Sequence, residues 1–152
     1  MYRSEGQLGL ADYYDGDLGS CRRRVAAALI AATKNHDAAA QILFLSATAV
    51  GYLMQNLSDS QAIQYAKEAI AIASGTPDAG APQVANAILI QALARTGKIS
   101  EAEGLVGKLL AEPTLDPVER FYYLSSAANA ELAARKLTEA AKYFEQAIYK
   151  RT

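Results

Sequence analysis

Residue types able to do covalent or acid–base chemistry are sparse in this sequence. One histidine, His36, stands in Lys34-Asn35-His36-Asp37, and one cysteine, Cys21, directly precedes Arg22-Arg23-Arg24. An imidazole beside a carboxylate is the pair a general base needs, and a thiol needs an imidazole or cation nearby to become a nucleophile. The Lys34–Asp37 stretch reads as a turn between helices, where a histidine is merely solvated, and no histidine lies near Cys21 in the sequence. Neither zinc-ligand spacing nor a glycine-rich phosphate loop occurs. The expectation is therefore a protein that is not an enzyme and carries no cofactor or metal. The lone cysteine also excludes an intrachain disulfide.

The remaining chemistry is recognition. Fifteen basic and 16 acidic residues leave a net charge of -1, so no overall field selects nucleic acid or a membrane surface. The run Arg22–Arg24 is too short for a nucleic-acid footprint and reads as a solvated helix face. No signal-peptide pattern is present, and no apolar stretch reaches about 18 residues without polar interruption. A cytoplasmic location, with neither nucleic acid nor membrane as partner, is expected. Tyrosines are numerous and include the pairs Tyr13-Tyr14 and Tyr122-Tyr123. Helical neighbours point roughly 100° apart, so one ring of each pair can face a partner while the other packs inward.

Helices must position these groups. Of the 152 residues 51% are apolar, dominated by alanine and leucine, with only 4 Pro and 10 Gly, which favours closely packed helices over strands. Four segments share one pattern of a turn, a small residue, and apolar residues four and seven places later. They are Gly16-Asp17-Leu18 with Cys21, Val25 and Ala28; Leu57-Ser58-Asp59 with Ala62, Ala66 and Ala69; Gly97-Lys98-Ile99 with Ala102, Val106 and Leu109; and Arg135-Lys136-Leu137 with Ala140, Phe144 and Ala147. The small residue recurs at 21, 62, 102 and 140, spacings of 41, 40 and 38. Asp116-Pro117-Val118-Glu119 has the order of a helix start, and Ser58 with Gln61 and Ser100 with Glu103 read as capping boxes. Gly97 marks a helix end, and Pro82 begins a helix after the loop 75–81. The fold class expected is all-α: eight helices in four antiparallel pairs, near 3–14, 18–34, 38–56, 59–74, 82–96, 100–111, 117–134 and 138–150.

This pattern resembles the tetratricopeptide repeat family. Leu89, Gly97, Ala102 and Pro113 fall at that family's offsets, as do Ala140, Phe144 and Ala147, and Leu8-Gly9, Gly16 and Ala28. The units exceed the family's usual length of about 34 residues, and Leu57 and Arg135 stand in place of the turn glycine. Elongated units of this kind are similar to those of bacterial transcriptional regulators and kinesin light chains. The resemblance implies one domain over 1–152, with repeats near 2–37, 38–76, 82–115 and 117–152, wound as a right-handed superhelical stack. Small residues at Cys21, Ala62, Ala102 and Ala140 would let paired helices approach closely.

In that family the first helix of each pair lines a concave groove. The resemblance places Arg3, Gly6, Leu10 and Tyr13 there in the first unit, then Phe44, Ala47, Gly51 and Met54. Val84, Ala87, Gln91 and Ala94, with Arg95 adjacent, come in the third, and Tyr122, Ser125, Asn129 and Leu132 in the fourth. A second register of the first helix, shifted by two, would turn Leu10 and Tyr14 inward. The groove expected is apolar and amide-bearing: Tyr13, Phe44, Met54 and Tyr122 as anchors, Gln91, Asn129 and Arg95 as polar contacts. Its expected occupant is a protein or peptide segment, with Gln91 and Asn129 bonding its backbone. Two alternatives stand beside this scaffold: a peptide- or ligand-sensing regulatory domain of a larger bacterial protein, and a self-assembly module. In the last, the uncapped terminal helices, ending in Ala147–Thr152, would form a homodimer.

Overall fold

The structure is a computed structural model and describes residues 1–149. The C-terminal edge expected at Lys150–Thr152 lies outside the described residues. Every regular element among those residues is helical: α1 (Tyr2–Tyr14), α2 (Leu18–Lys34), α3 (Ala38–Met54), α4 (Asp59–Gly75), α5 (Gln83–Arg95), α6 (Ile99–Leu110), α7 (Pro117–Ala133) and α8 (Leu137–Tyr149). A short 3-10 turn, Pro77–Ala79, interrupts the α4–α5 loop.

Local sequence explains the boundaries. Asp17, Asp37, Ser58 and Asp116 each cap a helix by accepting a backbone N–H from its first turn. At Asp116 the cap is reciprocal, since the Glu119 carboxylate accepts the Asp116 N–H while Pro117 opens the helix. Ser58 accepts the Gln61 N–H at 3.2 Å. Ser100 is not a cap: α6 starts one residue earlier, at Ile99, and Lys98 takes the cap position without a side-chain bond. Its expected partner Glu103 pairs instead with Lys136.

Five helix ends close with one and the same motif. The residues at Gly16, His36, Asn56, Gly97 and Arg135 are all left-handed, with φ between 52° and 83°. Each donates its N–H three residues back, and the next residue donates five back, as in Gly97 to Ala94 and Lys98 to Leu93. The turn residue before α4 is thus Asn56 and not Leu57; asparagine tolerates this conformation better than a branched side chain. Cys21, Ala62, Ala102 and Ala140 are each the fourth residue of a second helix, which starts two residues after Gly16, Gly97 and Arg135 and three after Asn56.

Two compact units divide the chain, Met1–Ala85 and the part from Asn86 onward. In the first, α1 packs on α2, α2 on α3 and α3 on α4, and α1 also touches α3. Its core holds Val25, Ala28, Ala32, Ala40 and Phe44, with Tyr2, Leu10, Cys21, Leu29 and Ala47 against it. On α4 a stripe of alanines, Ala62, Ala66, Ala69 and Ala73, is buried, and small side chains at these spacings let helices approach closely. Of the two registers for α1, Leu10 packs inward while Tyr14 is 86% exposed; Gly6 and Gly9 are the helix's buried residues.

In the second unit α7 packs on α6 and α8. Ala102, Val106, Leu124, Ala127, Ala128, Ala140 and Ala147 are buried there. Two side-chain bonds join α5 to α7: Asn86 Nδ2 donates to Tyr123 Oη and Gln91 Nε2 to Ser126 Oγ, both at 3.2 Å. Lys136 pairs with Glu103 and lies 3.7 Å from the buried Glu131. Burial raises the Glu131 carboxyl above its ordinary value; Lys136 opposes the shift, while Glu103 and Glu139 add to it.

Candidate binding site

A cavity of about 410 Å³ opens in the first unit, bordered by the end of α1, the N-terminal half of α2, α3 from Leu43 onward, Tyr65 of α4 and Val84 of α5. Five groove positions carried over from the repeat pattern line it: Leu10, Tyr13, Ala47, Gly51 and Val84. Tyr13 and Tyr14 meet edge to face with ring centres 5.7 Å apart. Across the α3–α4 turn, the Tyr52 and Tyr65 rings lie 5.5 Å apart and tilted by 30°. Burial, then the neighbouring Tyr52, raises the Tyr65 phenol above its usual value.

Two wall hydroxyls are already committed. Ser46 Oγ donates to the Ile42 carbonyl at 2.6 Å and Thr48 Oγ1 to the Phe44 carbonyl at 2.7 Å, which closes both hydroxyls onto their own helix. Gln55 differs. Its Nε2 is buried and has no hydrogen-bond partner among the described residues. Cys21 lines the same space, and its thiol is raised first by burial and then by the Asp12 carboxylate, with Arg22 opposing. A raised thiol stays protonated at neutral pH, which suits packing and not nucleophilic attack.

The arginine run divides its work. Arg23 donates to Ser20 Oγ at 3.0 Å, and Arg24 bridges Glu5 at 3.5 Å and Asp12 at 3.1 Å. Arg22 is exposed at the cavity, and no hydrogen bond or ion pair among the described residues holds it. His36, whose side chain is exposed, occupies a left-handed turn position, so its backbone role is structural. Its sequence neighbour Asp37 is engaged elsewhere, by Tyr2 Oη at 2.8 Å and by both Arg3 Nε and Nη2 at 2.7 and 2.6 Å.

The expected anchors fall in different places. Tyr13 lines the cavity. Phe44 does not face any groove: it is fully buried in the first unit's core, because Gly6 leaves a gap in α1 that its ring fills. Met54 is 59% exposed at the end of α3 and is not part of the cavity wall. In the second unit Tyr122 is 40% exposed while Tyr123 is buried, so that pair divides between surface and core. Asn129 and Arg95 are exposed, and the Gln91 amide is bound to Ser126. Tyr52, Gln55 and Tyr65 were not among the expected groove residues. The signal for them was the α3–α4 turn itself, which folds residues shortly before Ser58 back over residues shortly after it.

Among the described residues no cluster of three or more His, Cys, Asp or Glu could hold a metal ion, and no helix is long and apolar enough to cross a membrane. No family model matches the chain, and no curated protein or solved structure matches it at a significant level.

Proposed function

We propose that this chain is a non-enzymatic binding module of tetratricopeptide-like design, on which a segment of another protein docks. The observation that carries the reading is the first-unit cavity, apolar in its walls and lined by five of the positions that the repeat pattern assigns to a groove. Apolar pockets with a few unspent polar groups are the usual form of a recognition site, and buried aromatic or aliphatic anchors supply most of the energy of docking. Tyr13, Tyr52 and Tyr65 give rigid walls for such an anchor.

A second reading, a ligand-sensing regulatory domain, draws on the same cavity. Its walls include residues of α1, α2 and α3, so an occupant would bear on how α1 and α2 pack on α3.

Gly51 offers a clean test. A β-carbon there meets only the Gln55 amide nitrogen, at 3.7 Å, so a larger side chain is accommodated by the helix while it fills the cavity. Replacing a glycine of the last helical turn also removes freedom from the unfolded chain, a gain of about 0.4–1 kcal/mol. Peptides selected from a displayed library on the wild type should carry a bulky apolar anchor and bind Gly51→Leu at least tenfold more weakly, with the variant melting no lower than wild type. Equal affinity for both proteins would remove the cavity from the docking surface.

A further inference from the structure

Beside the tyrosine hydroxyls, two nitrogen groups of the first-unit cavity have no partner. Arg22 is an exposed guanidinium without an ion pair, and Gln55 Nε2 is a buried amide nitrogen without an acceptor. Both are hydrogen-bond donors. The wall hydroxyls of Ser46 and Thr48 are closed onto their own helix, and no carboxylate is among the lining side chains. Asp12, the nearest acid to Cys21 in electrostatic effect, is held by Arg24 at 3.1 Å. A ligand matching this set brings acceptors and negative charge at one end and an apolar body at the other. The volume of about 410 Å³ lies in the range of small-molecule sites, about 300–1,000 Å³.

We propose that this cavity binds a small amphiphilic carboxylic acid, its apolar body among the tyrosines and Gly51, its carboxylate on Arg22, with the Gln55 amide as the second donor. The inference rests on the reading of the cavity as a binding site and names the chemistry of an occupant. A guanidinium and a carboxylate form charge-assisted bonds roughly twice as strong as neutral ones. Gln55 gains the acceptor that its buried nitrogen lacks. A single cation suits a monoanion; a phosphate dianion would leave charge uncompensated in an apolar wall.

Titration calorimetry with decanoate and with its uncharged counterpart decanol, both below their aggregation concentrations, tests the assignment on the whole chain. Decanoate should bind the wild type more tightly than decanol. Arg22→Gln should weaken decanoate by about tenfold and leave decanol unchanged, while Gly51→Leu should abolish both. Circular dichroism on Arg22→Gln controls for folding, which an exposed, unpaired side chain leaves intact. Equal binding of decanoate and decanol, equal decanoate affinity in Arg22→Gln, or no decanoate binding would overturn the proposal. A display-selected peptide that binds where decanoate does not would overturn it and leave the docking reading standing. Decanoate binding in the absence of any selectable peptide would support it and remove that reading.

Discussion

The ring of Phe44 is seated on Gly6 so closely that a β-carbon on Gly6 would overlap two of its ring carbons. Ala28 closes the other side at 3.0 Å. Two effects oppose each other in Gly6→Ala: helix propensity gains about 1 kcal/mol, and overpacking costs about 1–3 kcal/mol. The clash is with a fully buried ring, so overpacking should win and the urea midpoint should fall. Adding Phe44→Leu should return part of the loss, because the shorter side chain vacates the contact. A single variant as stable as wild type would mean that α1 can retreat from α3 at no cost.

Three of the five left-handed turn positions are not glycine. A side chain there costs about 1–2 kcal/mol, and the freedom glycine adds to the unfolded chain returns about 0.4–1 kcal/mol of that. Arg135→Gly and His36→Gly should each raise stability by up to about 1 kcal/mol, and Gly97→Ala should lower it. Thermal melts decide the sign.

Asp37 holds three partners at once: the Arg3 guanidinium, the Tyr2 hydroxyl and the Ala40 N–H. Arg3 first, then Tyr2, then the backbone lowers its carboxyl below the ordinary value. The folded state therefore favours the ionised form. Its contribution is complete above the unfolded value, about 3.9, and is lost as pH falls through the lower folded value. Asp37→Asn should accordingly melt below wild type near neutral pH, with the gap closing below about pH 4. A gap independent of pH would show that the cap alone, and not the charge, matters.

Glu131 has the opposite sense. Burial raises its carboxyl, so the folded state favours the neutral acid. The penalty is absent below the unfolded value, about 4.3, and grows as pH rises through the higher folded value. Glu131→Gln should melt above wild type at pH 7 and match it in acid. A lower melting point at pH 7 would mean that the pairing with Lys136 outweighs desolvation.

Helix boundaries were legible because their causes are local. Asp17, Asp37, Ser58, Gly97 and Asp116 each act within one turn of their own position, and the expected spans agree with the described helices to within two residues. Ser100 misled because the helix after Gly97 is capped at Lys98, two residues before the serine. Phe44 misled for a different reason. Its burial depends on how near α1 comes to α3, which Gly6 decides from 38 positions away. Tyr65 escaped notice because the repeat pattern places its groove on first helices, and Tyr52 and Gln55 because they stand at the end of α3 at positions the family offsets skip.

The recurrent turn carries a kinetic consequence. Because the same closure ends α1, α2, α3, α5 and α7, each of those helices is bent back by hydrogen bonds spanning no more than six residues. Contacts between neighbouring helices then form without the closure of long loops, so relative contact order is low and the entropic barrier to folding is small. Helical proteins of this topology fold in about microseconds to milliseconds. A nascent chain of this sequence can thus complete each hairpin as soon as its second helix is free, with little time spent as an open apolar surface.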